Sequence, residues 1–203
     1  MARYTGPKSK ISRRYGVALF GPSKALERKN YPPGMHGPKG SRRKRSDYSA
    51  ALAEKQKLRF QYGLMERQFR RYFESALRKR GVTGETLLQM LETRLDNVIY
   101  RLGFANSRNA ARQMVSHGHV TVNNRKVNVS SFNLRSGDVI AVKDRPASRR
   151  LATRNLELTQ IQPIPDWLVV DKDQFQGKVM RIPSREEIAP IVNEQLVVEL
   201  YSR

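Results

Sequence analysis

The clearest hydrophobic pattern in the chain spans residues 84–103, GETLLQMLETRLDNVIYRLG. Its apolar residues recur at spacings of three and four, which on a helix places them within an arc of roughly 120° at about 100° per residue. These residues are Leu87, Leu88, Leu91, Leu95, Val98, Ile99 and Leu102. The pattern predicts one buried helix that ends at Gly103.

The polar residues of this segment separate into two flanks when they are placed on that helix. Arg94, Asn97 and Arg101 fall on one flank. Glu92 and Asp96 fall on the other. The basic flank is a candidate surface for an anionic partner.

Two further helices are predicted between residues 46 and 81. The first, DYSAALAEKQKLRFQYG, follows Ser46 as a possible cap, and the second is LMERQFRRYFESALRKRG. Each ends at a glycine, as helices often do. The second has an apolar stripe that we expect to be core, namely Phe69, Tyr72, Phe73, Ala76 and Leu77. Its other side carries Arg67, Arg70, Arg71 and Arg78, which fits either a solvated face or a contact with RNA.

Residues 107–129, SRNAARQMVSHGHVTVNNRKVNV, predict a helix followed by a hairpin. Ser107 is placed to cap a helix that ends near Ser116 or His117. One side of this helix is apolar, and the polar side carries Arg108, Asn109, Arg112, Gln113 and Ser116. Alternating valines flank a predicted tip at residues 123–126, and RSGDVIAVKD adds another strand. The polar side and the tip present donors suited to phosphate and to unstacked RNA bases.

The residues after the sheet segment carry weaker signals. RRLATRNLELTQIQ predicts a helix, and residues 163–183 predict short strands and turns with Trp167 as a core anchor. Ser184 and Glu187 have the spacing of a capping box. The terminal segment EQLVVELYSR alternates weakly, which indicates a strand or a docked tail.

The overall charge narrows the class of partner. The chain has 203 residues, with 39 Lys and Arg against 18 Asp and Glu, a formal net charge of +21. So large an excess repels itself unless a polyanion neutralises it. The chain has no cysteine and no apolar run long enough to span a bilayer. A nucleic-acid-binding protein of a reducing, cytoplasmic compartment fits best, and an anionic membrane surface is the weaker alternative.

More than half of the excess charge lies in residues 1–45, which hold 13 Lys and Arg and one acidic residue, Glu27. Gly-Pro and Pro-Gly pairs interrupt this segment repeatedly. It is either a solvated tail or an arm that becomes ordered against phosphate. Interleaved aromatic residues favour the arm, because such groups are sparse in pure charge tails. They are Tyr4, Tyr15, Phe20 and Tyr31.

Together these patterns predict an α+β fold. We expect a helical lobe and an RNA-binding module with a small, mainly antiparallel sheet, preceded by an irregular basic N-terminal arm. The expected divisions are residues 1–45 for the arm, 46–92 for the helical lobe and 93–176 for the module and its sheet extension. Residues 177–203 are expected to pack on the helical lobe.

Several segments resemble a known family. RLDNVIYRLGFANSRNAARQMVSHGHVTVNNRKVN is similar to the alpha-L RNA-binding module. MARYTGPKSKISRR, YPPGMHG, SDYSAALAEKQKLRFQYG, ERQFRRYF and NEQLVVELYSR resemble, in the same order, segments of the S-four family of bacterial small-subunit ribosomal proteins. The resemblance covers nearly the whole chain.

The resemblance implies a structural role in the small ribosomal subunit. It implies direct binding of 16S ribosomal RNA at a junction in the 5′ domain, early in assembly of the subunit body. It also implies contact with small-subunit protein five, which affects translational accuracy, with protein three as a further partner, and a position near the path by which messenger RNA enters. The alternative is a regulatory RNA-binding protein outside the ribosome that has an alpha-L module.

The resemblance and the charge pattern together give the candidate site residues. The expected RNA-binding residues are Arg3, Lys8, Lys10, Arg13, Arg14, Lys39, Arg42, Arg43, Lys44, Arg45, Lys55, Lys57, Arg59, Arg67, Arg70, Arg71, Arg94, Arg101, Ser107, Arg108, Asn109, Arg112, Gln113, His117, Asn124, Arg125 and Lys126. By resemblance, the expected contact with protein five comprises Asp47, Tyr48, Glu199, Leu200 and Tyr201.

No metal, cofactor or catalytic residue is expected. Many members of the family carry a four-cysteine metal site in the arm, and here Ser9 and Ser12 stand at the spacing of the first cysteine pair. His36 alone cannot replace four ligands. His117 and His119 are expected at a helix end and a strand start, with His117 facing RNA. An RNA-modifying enzyme with an alpha-L module would need a large separate catalytic domain, and only 49 residues follow Arg154.

Overall fold

A computed structural model describes residues 4–39, 46–188 and 190–202. They divide into two compact units, one holding the residues up to Gly84 and from Pro190 onward, the other those from Glu85 to Ile188. The helices are α1 Lys8–Tyr15, α2 Lys24–Arg28, α3 Asp47–Gln61, α4 Glu66–Leu77, α5 Thr83–Glu92, α6 Leu95–Arg101, α7 Arg108–Ser116, α8 Pro146–Thr159, α9 Arg185–Ile188 and α10 Glu194–Ser202. The strands are β1 Val120–Val122, β2 Arg125–Lys126, β3 Val139–Val142, β4 Leu168–Asp171 and β5 Gln176–Val179. Among the described residues, none of these helices has the length and apolarity needed to cross a membrane.

The C-terminal segment forms a helix, α10, and the strand considered for it is wrong. Glu194 and Val197 are buried, and Tyr201 continues the same face at helical spacing. That face packs along α3, and the Tyr201 ring centroid lies 4.7 Å from that of Phe73. The weak alternation of apolar and polar residues in this segment suggested a strand, although its buried residues have the spacing of three and four that is typical of a helix.

The apolar stripe of α4 is confirmed for four of its five expected residues, Phe69, Tyr72, Phe73 and Ala76, which are buried. The fifth, Leu77, is 52% exposed. At about 100° per residue it lies roughly 90° from the centre of the buried four, and it is also the last residue of the helix. The stripe is therefore narrower than the sequence suggested.

Part of the arm that was expected to be irregular contains two short helices, α1 and α2. A polar clamp connects α1 to the loop after α2. The Nε of Arg13 donates to the carbonyls of Lys29 (3.3 Å) and Tyr31 (3.2 Å), and its Nη2 donates to that of Pro32 (3.3 Å). The guanidinium also lies 4.8 Å from the Tyr31 ring centroid. This segment has no periodic apolar pattern in its sequence. Hydrogen bonds from one arginine connect its parts instead.

The long helix predicted over residues 84–103 is two helices, because the chain becomes extended at Arg94 (φ −64°, ψ 138°). Arg94 forms an isolated antiparallel bridge with Asn133. All of the apolar residues of the predicted arc are nevertheless buried, so the hydrophobic pattern is confirmed while the continuity of the helix is wrong.

In the second unit, five strands among the described residues form one antiparallel sheet in the order β2-β1-β3-β5-β4. Trp167 is buried in its core, as predicted. The hairpin tip is shorter than expected: only Asn123 and Asn124 have positive φ (48° and 63°), which suits a two-residue turn. Arg125 and Lys126 belong to β2.

The compact units differ from the divisions expected from sequence. Because β5 pairs with both β3 and β4, residues 177–188 lie in the second unit, and only the residues from Pro190 onward lie in the first. One of the two hydrogen bonds of the predicted capping box is present before α9, since Glu187 Oε2 accepts from Ser184 N at 2.9 Å.

Candidate RNA interface

Asp96 at the start of α6 holds two arginines. Arg94 binds both of its oxygens, with Nε 3.0 Å from Oδ1 and Nη2 2.8 Å from Oδ2. Arg112 on α7 donates to Oδ2 through Nε (3.2 Å) and Nη2 (3.1 Å). All three side chains are buried, so this cluster connects α7 to the break between α5 and α6.

A second network reaches the surface. The buried Glu92 accepts from Arg101 Nη2 (2.8 Å) and from Asn97 Nδ2 (2.6 Å). Asn97 Oδ1 in turn accepts from Arg108 Nε at 2.8 Å. The Arg108 guanidinium also lies 4.7 Å from the Tyr100 ring centroid. Arg101 and Arg108 are half-buried, so each is held in place and still reaches solvent.

These networks correct the expectation that Arg112 lies on an open polar side of its helix. Arg112 is 6% exposed and Arg94 1% exposed, and both are engaged with Asp96. The pairing of Asp96 with Arg94 and Arg112, and that of Glu92 with Arg101, was not predicted from the sequence, because a continuous helix puts these acids and bases on opposite flanks. A usable signal was present, namely two acidic residues close to a fully apolar arc in a strongly basic chain.

The rest of the α7 surface is open. Ser107 caps α7 as predicted, its Oγ accepting from Ala110 N at 3.3 Å. Gln113 and His117 are exposed, and Asn109 is half-buried. These side chains lie at the surface of the second unit.

The hairpin lies beside the end of α7. Asn124, Arg125 and Lys126 are exposed. The stem of Lys126 packs on Gly118, where an added Cβ would come within 2.7 Å of Lys126 Cε. Since Gly118 follows α7, the end of α7 and Lys126 of the hairpin are adjacent. We use the name α7–β2 face for the accessible polar side chains of α7, its flanks and the hairpin: Arg101, Ser107, Arg108, Asn109, Gln113, His117, Asn124, Arg125 and Lys126.

His119 lies behind this face. Its Nδ1 is 2.9 Å from Ser148 Oγ, and its ring centroid is 6.1 Å from that of His117. Burial lowers the pKa of His119, and the positive charges of His117 and Arg145 lower it further. Within residues 4–39, 46–188 and 190–202, no three histidine and carboxylate side chains cluster in a way that could hold a metal ion.

In the first unit the expected RNA-binding residues are of two kinds. The exposed ones are Lys8, Lys10, Arg14, Lys39, Arg67, Arg70 and Arg71. The engaged ones are Arg13 in its clamp, Lys57 with Glu54 (2.6 Å), and Lys55 and Arg59 with Glu66 (2.8 Å and 3.6 Å). Arg70 also pairs with Glu74 at 3.2 Å. Arg3, Arg42, Arg43, Lys44 and Arg45 lie outside the described residues.

The residues expected to contact protein five also differ in their surroundings. Asp47, Tyr48 and Glu199 are exposed and Leu200 is half-buried. Tyr201 is bound within the first unit, where its hydroxyl donates to Glu66 Oε1 at 2.7 Å. Burial raises the pKa of Tyr201, and the hydrogen bond to Glu66 raises it further. Burial alone would raise the pKa of Glu66, but hydrogen bonds from Lys55 and Tyr201 outweigh it, so that pKa is lowered.

Comparison with known proteins decides the family. A model described as "Ribosomal protein S4/S9 N-terminal domain" matches residues 3–92, and an "S4 domain" model matches residues 93–140. The chain is 63% identical to small ribosomal subunit protein uS4 of Akkermansia muciniphila over 203 residues, the full length of both. The chain belongs to the uS4 family. Other uS4 relatives are those of Opitutus terrae, 58% identical, and Thermus thermophilus, 51% identical, again with both chains fully covered.

The family assignment agrees with the resemblance seen in the sequence. The two matched segments can also be compared with the two compact units. The α7–β2 face lies in the unit that contains the S4 domain match, although the match ends at residue 140 while the unit continues to Ile188. The buried pair of Asp96 and Arg112 also lies within the S4 domain match.

Proposed function

We propose that this uS4 family member is a structural component of the small ribosomal subunit and binds 16S ribosomal RNA directly. The observation that carries the proposal is identity of 63% over the full length to a protein named for the small ribosomal subunit. The S4 domain match and the net charge of +21 support a polyanionic partner. The role is one of binding and scaffolding, and we propose no catalysis.

The α7–β2 face supplies the binding chemistry for this role. Arginine presents a planar fork of N–H donors that matches the oxygens of a phosphate. Glu92 and Asn97 already hold the guanidinium groups of Arg101 and Arg108, so these side chains lose less conformational entropy on binding. The amide side chains of Gln113 and Asn124 add donors and acceptors for bases that are not stacked.

Arg94 and Arg112 support this face from below and make no direct contact with RNA in our proposal. Their guanidinium groups neutralise Asp96, and the ion pair of Arg112 joins the middle of α7 to the start of α6. The exposed arginines of α4 and the exposed basic residues of residues 4–39 provide further phosphate contacts from the first unit.

The finer role follows the family resemblance. We propose that the protein binds a junction in the 5′ domain of 16S RNA and nucleates assembly of the subunit body. We also propose that it contacts small-subunit proteins five and three and lies near incoming messenger RNA. Of the residues assigned to protein five, Tyr48 is the best probe, because it is 57% exposed and its replacement leaves the packing of Tyr201 intact. Tyr48→Ala is expected to raise misreading in a translation assay without preventing subunit assembly.

A salt titration tests the RNA-binding proposal. Affinity for a 5′-domain fragment of 16S RNA should fall steeply with salt, because each neutralised phosphate contributes roughly −0.7 to −0.9 to the log–log slope. A slope shallower than about −2 contradicts a phosphate-dominated interface. Random double-stranded DNA serves as the control, and equal affinity for it contradicts specific RNA recognition.

A further inference from the structure

A groove of about 320 Å³ lies between α7 and α8 in the second unit. Its volume is in the range of pockets that hold small ligands. On the α7 side it is lined by Gln113 and His117, which belong to the α7–β2 face, and on the α8 side by Arg154 and Leu158. The groove therefore connects the face proposed to bind RNA with α8, a helix that lies beyond the S4 domain match.

Hydrogen bonds hold the two walls of this groove together. His119 Nδ1, on the chain that follows α7, lies 2.9 Å from Ser148 Oγ of α8. Asn155 Nδ2 of α8 donates to the carbonyl of Phe104, which precedes α7, at 2.9 Å in a buried setting. The groove is thus formed before a ligand arrives, and a ligand that enters it loses little affinity to ordering of the protein.

The polar side chains that line the groove are accessible and unengaged. Asn106, Gln113 and Arg154 are exposed, and their side chains form no hydrogen bond or ion pair with any other described residue. Each amide offers a donor and an acceptor, and the guanidinium offers a fork of donors. None of the described residues that line the groove is acidic. This set of groups suits a ligand that combines an anionic group with polar edges.

Further positive charge lies along the exposed side of α8. Residues 144–157 hold four arginines and two acids. One arginine, Arg149, pairs with Asp144 at 2.9 Å. Arg150 and Arg154 are exposed and four residues apart, so they lie on one face of the helix and repel each other. The helix gains no stability from that pair, whereas a polyanion along the groove would neutralise it.

We infer that the RNA bound by the α7–β2 face continues across this groove onto α8, with Arg154 and Asn106 as contacts. Arg154 binds a phosphate, for which a guanidinium has matching geometry. The amides of Asn106 and Gln113 bond to the edge of a base that is not stacked, and Leu158, 64% exposed, gives that base an apolar surface. The inference rests on the proposed function, because it extends the surface that binds the same RNA.

Binding of the 5′-domain fragment of 16S RNA to the full-length protein tests the inference. Arg154→Ala should weaken binding about tenfold and reduce the log–log salt slope by roughly 0.7–0.9, the value for one lost phosphate contact. Arg135→Ala is the matched control, since Arg135 is an exposed arginine of the same unit that does not line the groove. Equal losses in the two variants would mean that net charge alone determines affinity. That result, or unchanged affinity of Arg154→Ala, overturns the inference.

Asn106→Ala separates recognition of a base from attraction by charge. The variant removes a neutral side chain, so affinity should fall at least about threefold while the salt slope stays the same. Asn106 is exposed, and thermal melting verifies that this variant and Arg154→Ala are folded. Unchanged affinity would show that no base is bound beside Asn106 and contradicts the inference.

A crosslinking experiment identifies what lies in the groove. Because the chain has no cysteine, Leu158→Cys provides a single attachment point for a short photo-crosslinker. Irradiation should join this residue to RNA, both in the complex with the fragment and in reconstituted small subunits. An adduct with a protein in place of RNA would make the groove a protein contact. Either that adduct or the absence of an RNA adduct overturns the inference.

The unmodified protein shows which of the two proposals has failed. Tight, salt-dependent binding of the fragment by the unmodified protein, together with unchanged binding by Arg154→Ala, overturns only the groove. Absence of fragment binding by the unmodified protein overturns the proposed function itself.

Discussion

The carboxylate of Asp96 on α6 lies 3.1 Å from Nη2 of Arg112 on α7, and both side chains are buried. Arg94 binds the same carboxylate, so two guanidinium groups share one acid inside the second unit. Burying charges is costly unless they are paired and hydrogen-bonded, and here the pairing is what permits α7 to carry an arginine on its inner side.

We predict that Arg112→Ala destabilises the fold. It removes one partner of a buried ion pair, and such losses cost about 3–5 kcal/mol. Because Arg94 still binds Asp96, Arg112→Ala should lower the free energy of unfolding by about 3 kcal/mol. Asp96→Ala leaves two buried cations without their acid, so it should lower the free energy of unfolding by more. Urea denaturation gives both values. A loss of RNA affinity with an unchanged unfolding curve would show that Arg112 acts at the surface after all.

Arg108→Ala should behave in the opposite way. Arg108 is half-buried, so its removal should cost less stability than Arg112→Ala, although Asn97 Oδ1 loses this donor. It should weaken binding of the 16S fragment by about 1–3 kcal/mol, the range for charge-assisted hydrogen bonds. The control is Arg135→Ala, which removes the same charge from an exposed loop of the same unit. Equal losses in the two variants would mean that net charge, and not the held geometry, determines affinity.

The sequence predicted the buried apolar residues of the second unit well, because three-and-four spacing survives a local break in the helix. It could not predict the break at Arg94, which depends on a bridge to Asn133 that lies far along the chain. The buried ion pairs follow from that break, since it brings acids and bases from opposite flanks together. For that reason the sequence placed Arg112 on an open surface.

In the first unit, too, the structure differs from what the sequence predicted. Hydrophobic spacing identified α3 and α4, but α1 is connected through arginine hydrogen bonds to backbone carbonyls, which have no periodic signature in sequence. The alternation in the terminal segment was too weak to distinguish a strand from α10, and packing on α3 decides the matter. The RNA-binding assignments of individual residues remain predictions.

The hydrogen bond from Tyr201 to Glu66 should make a pH-dependent contribution to stability. Tyr201→Phe keeps the ring stacking and removes only the hydroxyl, so near neutral pH it should cost about 1 kcal/mol, reduced because the pair is partly exposed. Tyr48→Phe is the control, since Tyr48 is exposed and the same change there should have little effect.

The sign of the pH dependence follows from the two pKa shifts. The folded pKa of Glu66 is lowered from 4.5, so its contribution is present above 4.5 and is lost as pH falls below that value. The folded pKa of Tyr201 is raised from 10.0, so its contribution is present below 10 and is lost as pH rises above it. The difference between wild type and Tyr201→Phe should therefore be largest between these limits. A difference independent of pH would contradict a bond between the phenol and an ionised carboxylate.

The arm provides the last prediction, because Arg13 connects α1 to residues 29–32 through a fork of hydrogen bonds that lysine cannot reproduce. Arg13→Lys keeps the charge and should loosen this connection. Limited trypsin digestion should then cut faster between Lys24 and Lys29, while cleavage within the second unit stays unchanged. Affinity for the 16S fragment should fall because a looser arm loses more entropy on binding, but the salt slope should stay the same because the number of charges is unchanged. Arg80→Lys is the matched control, since Arg80 is an exposed arginine of the same unit, takes no part in this clamp and is not among the expected RNA-binding residues. Equal digestion of wild type and Arg13→Lys would mean that packing of the arm, and not this arginine, holds it in place.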